Sequence, residues 1–162
     1  MSLTIREFTK EDIPYMNEIW NEIVVEGMAF PQTDTLDVSS GYEFYKSQSF
    51  TAVAEDSELG IVGLYILHPN NIGRCGHISN ASYAVKKGIR GMGVGERLVS
   101  HCLEKAKELG FGILQFNAVV STNIPALKLY EKLGFVQLGT IPKGFHAKNG
   151  EYLDIIPHYH TL

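Results

Sequence analysis

Apolar positions along this chain follow two rhythms, one repeating about every 2 residues and one about every 3.6, and their alternation divides it into strands and helices. Residues 3–8 alternate weakly, as a strand does. Thr9, with Glu11 and Asp12 after it, then caps the stripe Ile13, Met16, Ile19, Trp20, Ile23 and Val24, whose spacing predicts a helix. Residues 27–40 are polar and contain Pro31, which predicts a loop, and the aromatic-rich residues 41–47 read as a short helix. Residues 50–55 and 61–67 are β-rich and flank Asp56, Ser57, Glu58, Leu59 and Gly60, the composition of a hairpin turn. A further run, residues 77–85, follows a turn at 69–73 and extends an antiparallel meander.

The second half is more sharply punctuated. Leu98, Val99, Cys102, Leu103, Ala106 and Leu109 keep helical spacing up to Gly110, a C-terminal stop. Residues 113–120 read as a strand, 123–133 as a helix ended by Gly134, 135–141 as a strand and 152–158 as a last one. His158 and His160 read as a frayed strand end rather than a metal-ligand pair. The order is β-α-α-β-β-β-α-β-α-β-β, with no repeat, low-complexity tract or linker, so residues 1–162 form a single domain.

Composition narrows the partners. The chain has 162 residues, enough for one core without staples, and a net charge of −4 with no basic block, which argues against nucleic acid. No apolar run is long enough to span a bilayer, and Met1, Ser2, Leu3, Thr4 and Ile5 lack a signal-peptide core, so neither a membrane nor secretion is expected and the setting reads as cytoplasmic. Cys75 and Cys102 are too few and too scattered for a disulfide framework or a zinc site; both read as free thiols, and no metal is expected.

Between the run 77–85 and the helix that follows lies Arg90, Gly91, Met92, Gly93, Val94, Gly95, Glu96 and Arg97. Glycines at alternate positions let the backbone turn sharply and uncover N–H groups at a helix N-terminus, where an anion is also favoured by the helix dipole. The segment is not an ATP-type loop, because Gly95 is followed by Glu96 and Arg97 instead of Lys and Ser/Thr. It is not a dinucleotide fingerprint either: G-x-G-x-x-G from Gly91 would need glycine at Glu96, and from Gly93 at Leu98.

A second constellation runs from Asn123 to Phe135. Asn123 and Tyr130 are seven residues apart, about two turns, so they point from nearly the same helical face. Ala126, Leu129 and Leu133 make a different stripe suited to the core, which leaves Tyr130 either a boundary tyrosine with its hydroxyl in water or a functional one.

Taken together, R-G-x-G-x-G followed by N-x-x-A-x-x-L-Y-E-K-L-G-F resembles the GCN5-related N-acetyltransferase (GNAT) family, strongly over residues 61–141 and generically before them. The resemblance implies an α/β (α+β) single-domain fold: a mixed, mostly antiparallel sheet of six to seven strands flanked by about four helices, with strands splayed at the acetyl-CoA site. It implies acetyl-CoA as co-substrate, its pyrophosphate on the backbone of Arg90, Gly91, Met92, Gly93, Val94 and Gly95, and its pantetheine and acetyl carbonyl along Tyr83, Ala84 and Val85. Asn123 matches the position that contacts the pantetheine arm, and Tyr130 the usual general acid. A phenol with pKa about 10 stays protonated at neutral pH and can meet a leaving thiolate. A backbone N–H near Val85 would face the oxyanion.

A narrower resemblance links residues 68–81 and 116–123 to yeast acetyltransferases of proline analogues such as azetidine-2-carboxylate, through P-N-x-x-G-R-C-x-H-x-x-N-A and F-N-x-V-x-x-T-N. It implies that Asn80 and Asn117 bind substrate, with Asn80 also catalytic. The residues themselves leave both open as satisfied strand ends. No Asp or Glu stands between His77 and Val85 to serve as base; water or His77 is left for that step, and Arg74 reads as an exposed turn residue. The expectation is direct acetyl transfer to a small-molecule amine, an amino acid or toxic analogue. The alternatives are a peptide N-terminus, a polyamine or an antibiotic as acceptor, or a noncatalytic acyl-CoA sensor. A homodimer is common in the family.

Overall fold

Residues 2–89 and 92–162 are described by a computed structural model. Its strands are β1 (Leu3–Glu7), β2 (Phe50–Asp56), β3 (Gly60–Pro69), β4 (Ile78–Val85), β5 (Ile113–Phe116), β6 (Val136–Gln137), β7 (Ile141–His146), β8 (Tyr152–Ile155) and β9 (His158–Thr161). The α-helices are α1 (Ile13–Glu26), α2 (Val38–Lys46), α3 (Val94–Glu108) and α4 (Ile124–Lys132). Seven strands share one sheet in the order β1-β2-β3-β4-β5-β9-β6, and β7 pairs with β8 as a separate hairpin. Every pairing is antiparallel except β4 with β5.

Each face of the sheet is covered by a different set of helices, as the helical stripes require. The α1 residues Ile13, Met16, Ile19, Trp20 and Val24 pack with Val53, Leu64, Ile66 and Ala84 on one face. On the other, Val94, Leu98, Val99, Cys102 and Ala106 of α3 pack with Tyr65, Leu67, Ala81 and Leu114. Gly63 lets α3 approach this closely: a Cβ there would lie 2.9 Å from the Ala84 carbonyl oxygen and 2.9 Å from a Leu98 methyl. Among the described residues no helix is long and apolar enough to cross a membrane.

The structure departs from the expected elements at one local cap and at several places set by distant partners. The loop 27–40 is shorter than expected because Asp37 caps α2, accepting from the Ser40 N–H at 2.7 Å while Ser40 Oγ accepts from the Asp37 N–H at 2.9 Å. The predicted strand 113–120 stops at Phe116, and 135–141 contains only the short β6 before β7 begins. The run 152–158 is two strands in different sheets, separated at Pro157, which has no N–H to continue a ladder. Nor is His158 frayed: it is 1% exposed, on a strand with neighbours on both sides.

Candidate active site

Strands β4 and β5 pair only at Ile78↔Ile113, Ser79↔Leu114 and Asn80↔Gln115, and then part. The reason lies beyond β5. After Phe116 the chain turns to the other hairpin, where the Val119 carbonyl accepts from the Ile156 N–H at 2.8 Å and Ser121 N–H donates to the Asp154 carbonyl at 2.9 Å. Residues that would have continued beside β4 are thus committed to the region of β8. The closed end of the fork is held by side chains: Ser79 Oγ donates to the Ile113 carbonyl at 2.7 Å, and Asn80 Nδ2 to the Gln115 carbonyl at 2.9 Å.

A cavity of about 320 Å³ fills the fork, lined by β4 from Asn80 to Val85, by Phe116, Asn117 and Val119, and by Asn123, Ala126 and Tyr130 of the α4 region. Lys86 N–H donates to the Val62 carbonyl at 2.8 Å, which fixes the alternation along β4: even-numbered residues bond β3, whereas the N–H and C=O groups of Tyr83 and Val85 point across the fork. Side chains alternate as well, with Ala84 packed among the α1 contacts and Ala81 and Tyr83 on the α3 side.

Tyr130 is more deeply placed than a boundary tyrosine. It is 4% exposed, and the buried residues of α4 are Ala126 and Tyr130, with Leu129 and Leu133 only half-buried. Core placement follows from aromatic neighbours outside α4: its ring stacks on Phe116 at 4.6 Å and meets Phe135 at 5.4 Å and His158 at 5.3 Å. Its hydroxyl donates to the Tyr83 hydroxyl at 3.3 Å. Burial holds the Tyr130 phenol well above the ordinary tyrosine range.

Asn123 shares the cavity with Tyr130, as the seven-residue spacing predicted, but its side chain also has a local task. As N-cap of α4 its Oδ1 accepts from the Ala126 N–H at 3.3 Å. Asn80 and Asn117 also meet at the cavity. Asn117 is exposed and held in a chain of amides: it donates to Asn70 Oδ1 at 2.7 Å and accepts from Gln115 Nε2 at 3.0 Å. His68, directly across from Asn80 on β3, has Nδ1 2.9 Å from Gln48 Oε1, and burial lowers its pKa.

Of the glycine-rich segment, Arg90 and Gly91 lie outside the described residues. Gly93 is left-handed at φ 67 and starts α3, whose first hydrogen bond runs from the Arg97 N–H to the Gly93 carbonyl at 3.0 Å. Met92 is half-buried and Val94 is in the core, so Val94 can offer a ligand only its backbone; the first-turn N–H groups have no partner within the helix. Gly95 sits beside the fork: a Cβ there would be 3.5 Å from the Tyr83 ring.

Several residues of the site carry no periodic signal. Ala29, Phe30 and Pro31, in the loop after α1, wall the cavity beside Ile23 of the α1 stripe, with Phe30 braced on Trp20 at 4.4 Å between ring centroids. Neither His77 nor Arg74 lines the cavity, and no carboxylate does among the described residues. No group of three or more His, Cys, Asp or Glu among the described residues is arranged to hold a metal.

Comparison with known proteins matches residues 14–135 to the acetyltransferase (GNAT) family. The chain is similar to N-acetyltransferase aca1 of Schizosaccharomyces pombe, 36% identical over 107 residues that cover 65% of this chain and 51% of that protein, so it spans about half the length of that relative. It is 24% identical to an L-methionine sulfoximine/L-methionine sulfone acetyltransferase of Salmonella typhimurium over 161 residues, 94% of this chain and 91% of the other. Among solved structures, a GCN5-related N-acetyltransferase from Kribbella flavida superposes with TM-score 0.90 at 32% identity, covering 99% of this chain and 98% of that one. The yncA protein of Salmonella typhimurium, solved with acetyl-CoA, superposes with TM-score 0.91 at 22% identity over 100% and 95% of the two chains.

Proposed function

The chain belongs to the acetyltransferase (GNAT) family, and from that premise we propose that it moves an acetyl group from acetyl-CoA directly to the amine of a small molecule, an amino acid or a toxic amino-acid analogue. The observation that carries this reading is the fork between β4 and β5: a cavity with free strand backbone on the side of the α3 N-terminus and side-chain amides at its closed end. In this reading the pyrophosphate rests on backbone N–H groups at Met92, Gly93, Val94 and Gly95. The pantetheine lies along Tyr83, Ala84 and Val85 with Asn123 at its flank.

The free amine attacks the thioester carbonyl, and charge develops on the carbonyl oxygen. The Val85 N–H, which points across the fork, is the donor for that charge. As the tetrahedral intermediate collapses, Tyr130, together with the Tyr83 hydroxyl to which it donates, supplies the proton for the departing thiolate. Asn80 and Asn117 orient the amine and the carboxylate of the acceptor. Water removes the ammonium proton, since no carboxylate lines the cavity among the described residues. Transfer is direct: Cys102 is buried with its thiol pushed up by burial, and Cys75 is exposed outside the cavity lining. A small amino-acid acceptor accords with what the methionine sulfoximine acetyltransferase is named for. A cytoplasmic setting and a homodimer belong to the same proposal.

The test is release of CoA thiol across a panel of amino acids, proline analogues, methionine sulfoximine, peptides, polyamines and aminoglycosides. Highest kcat/KM for a small amino acid or analogue supports the reading. Turnover confined to peptides, polyamines or aminoglycosides replaces the acceptor class, and tight acetyl-CoA binding with no turnover on any amine replaces the enzyme with a sensor.

A further inference from the structure

Two phenols, not one, face the fork. Tyr83 comes from β4 and Tyr130 from α4, their rings edge-on at 81° with centroids 6.4 Å apart and their hydroxyl oxygens 3.3 Å apart. Both line the cavity. They are not equivalent. Tyr130 is enclosed by Phe116, Phe135 and His158, and its hydroxyl finds its partner in Tyr83 alone among the described side chains and backbone. Tyr83 is the half-buried member, on the strand whose unpaired backbone faces the fork, and because its oxygen accepts from Tyr130 its own proton is free to point into the cavity.

Resting on the acetyltransferase reading above, we propose that Tyr83 is a second catalytic phenol, which hands its proton to the leaving sulfur while Tyr130 stands behind it as hydrogen-bond donor. An isolated phenol in a dry site is a poor acid toward a thiolate, because burial disfavours its phenolate. A donor aimed at the phenolate oxygen reverses part of that cost. The electrostatics of the pair agree: burial raises Tyr83, whereas the hydrogen bond from Tyr130 draws it back, and Tyr130 is raised both by burial and by Tyr83. Tyr83 is therefore the oxygen from which the proton departs.

The carbon–sulfur bond breaks with its electron pair on sulfur; the Tyr83 O–H bond breaks and an S–H bond forms. The Tyr83 phenolate is held by the Tyr130 hydroxyl and then takes up, through water, the proton that nitrogen sheds as the amide forms. One proton has moved from amine to thiol, and both phenols return to their starting state.

The experiment compares Tyr83→Phe, Tyr130→Phe and the double variant by steady-state kinetics on the amine the native enzyme uses, with proton inventories of kcat in mixtures of light and heavy water. Tyr83→Phe is expected to lower kcat about 100-fold or more with the acetyl-CoA KM nearly unchanged, as loss of a general acid does. The double variant should be no slower than Tyr83→Phe, since the two act as a unit. The inventory should be bowed in the native enzyme and straight in either single variant. Fluorotyrosine placed at position 83, which keeps the ring and lowers the phenol pKa, should move the alkaline limb of kcat to lower pH, and it serves if Tyr83→Phe is unstable. Native kcat in Tyr83→Phe with kcat lost in Tyr130→Phe overturns the inference and leaves Tyr130 as the lone acid. Independent, multiplying losses overturn it as well. Absence of turnover by the native protein on every amine instead removes the acetyltransferase reading itself.

Discussion

The side-chain amide of Asn80 donates to the Gln115 carbonyl at 2.9 Å, at the last position where β4 and β5 are still paired. The same side chain lines the cavity, so it fixes the fork and faces whatever enters it.

Replacement of Asn80 by Ala is therefore expected to act twice, lowering stability by about 1 kcal/mol, the worth of one hydrogen bond, and impairing acceptor use far more. Asn117→Ala is expected to raise the acceptor KM with little change in melting temperature, because Asn117 is exposed and tied only to Asn70 and Gln115. Initial rates on proline analogues, with thermal melts beside them, separate the two effects. Full activity in both variants would remove them from the acceptor site.

Tyr130→Phe should leave acetyl-CoA affinity nearly intact and lower kcat by about 10-fold or more, as loss of a proton donor does. The ring contacts with Phe116, Phe135 and His158 survive the change, so the fold should be retained. Calorimetric titration with acetyl-CoA and turnover measured on the same preparation check this. Unchanged kcat would take Tyr130 out of the proton transfer to the leaving sulfur.

Burial lowers the pKa of His68, His101 and His158, with His158 the most enclosed. Each binds its proton less readily folded than unfolded, so below about pH 6.5, the ordinary histidine value, the unfolded chain carries more protons. Stability is complete above that pH and is lost as pH falls toward the depressed folded values. The urea midpoint should drop between neutral and mildly acidic pH, and His158→Gln should flatten the drop. A midpoint constant across that range would contradict the buried neutral state of these rings.

Asp12 is buried and receives both Arg6 Nη1 at 2.7 Å and Arg6 Nη2 at 2.9 Å, besides the Thr9 N–H at 2.8 Å. Burial alone would raise its pKa; the Arg6 and Thr9 hydrogen bonds outweigh this and hold it below the usual carboxylate range. Its contribution is thus present above about pH 4, the unfolded value, and is lost as pH falls through the folded one. Asp12→Asn is expected to cost about 2 kcal/mol, in line with hydrogen bonds to charged groups, and to remove part of the acid limb in urea unfolding. The pair joins β1 to the start of α1, so turnover should change little.

What could be read from the chain depended on how far each residue's partner lies. The α3 stripe and the meander up to Val85 are set by neighbours a few residues away, and their spacing was sufficient. The break at Phe116 was invisible because it depends on Asp154 and Ile156 some forty residues later. The burial of Tyr130 was not legible for the same reason, since Phe116 and His158 enclose it from other elements. The glycine segment and Asn123 were recognisable by pattern, whereas Phe30 on a loop without period had nothing to mark it. Asn70, within the P-N motif, was visible as a turn residue but not as the partner of Asn117.

Strand β9 comes last along the described chain yet lies between β5 and β6. During synthesis, then, β5 is an unguarded edge and the ring of Tyr130 lacks one wall until residues 158–161 have left the ribosome. The reactive end of the fold is completed by this long-range closure, a kind of pairing that slows folding. A nascent chain halted before His158 would hold the meander and α3 but offer β5 as an open strand to its neighbours, the kind of edge that templates aggregation.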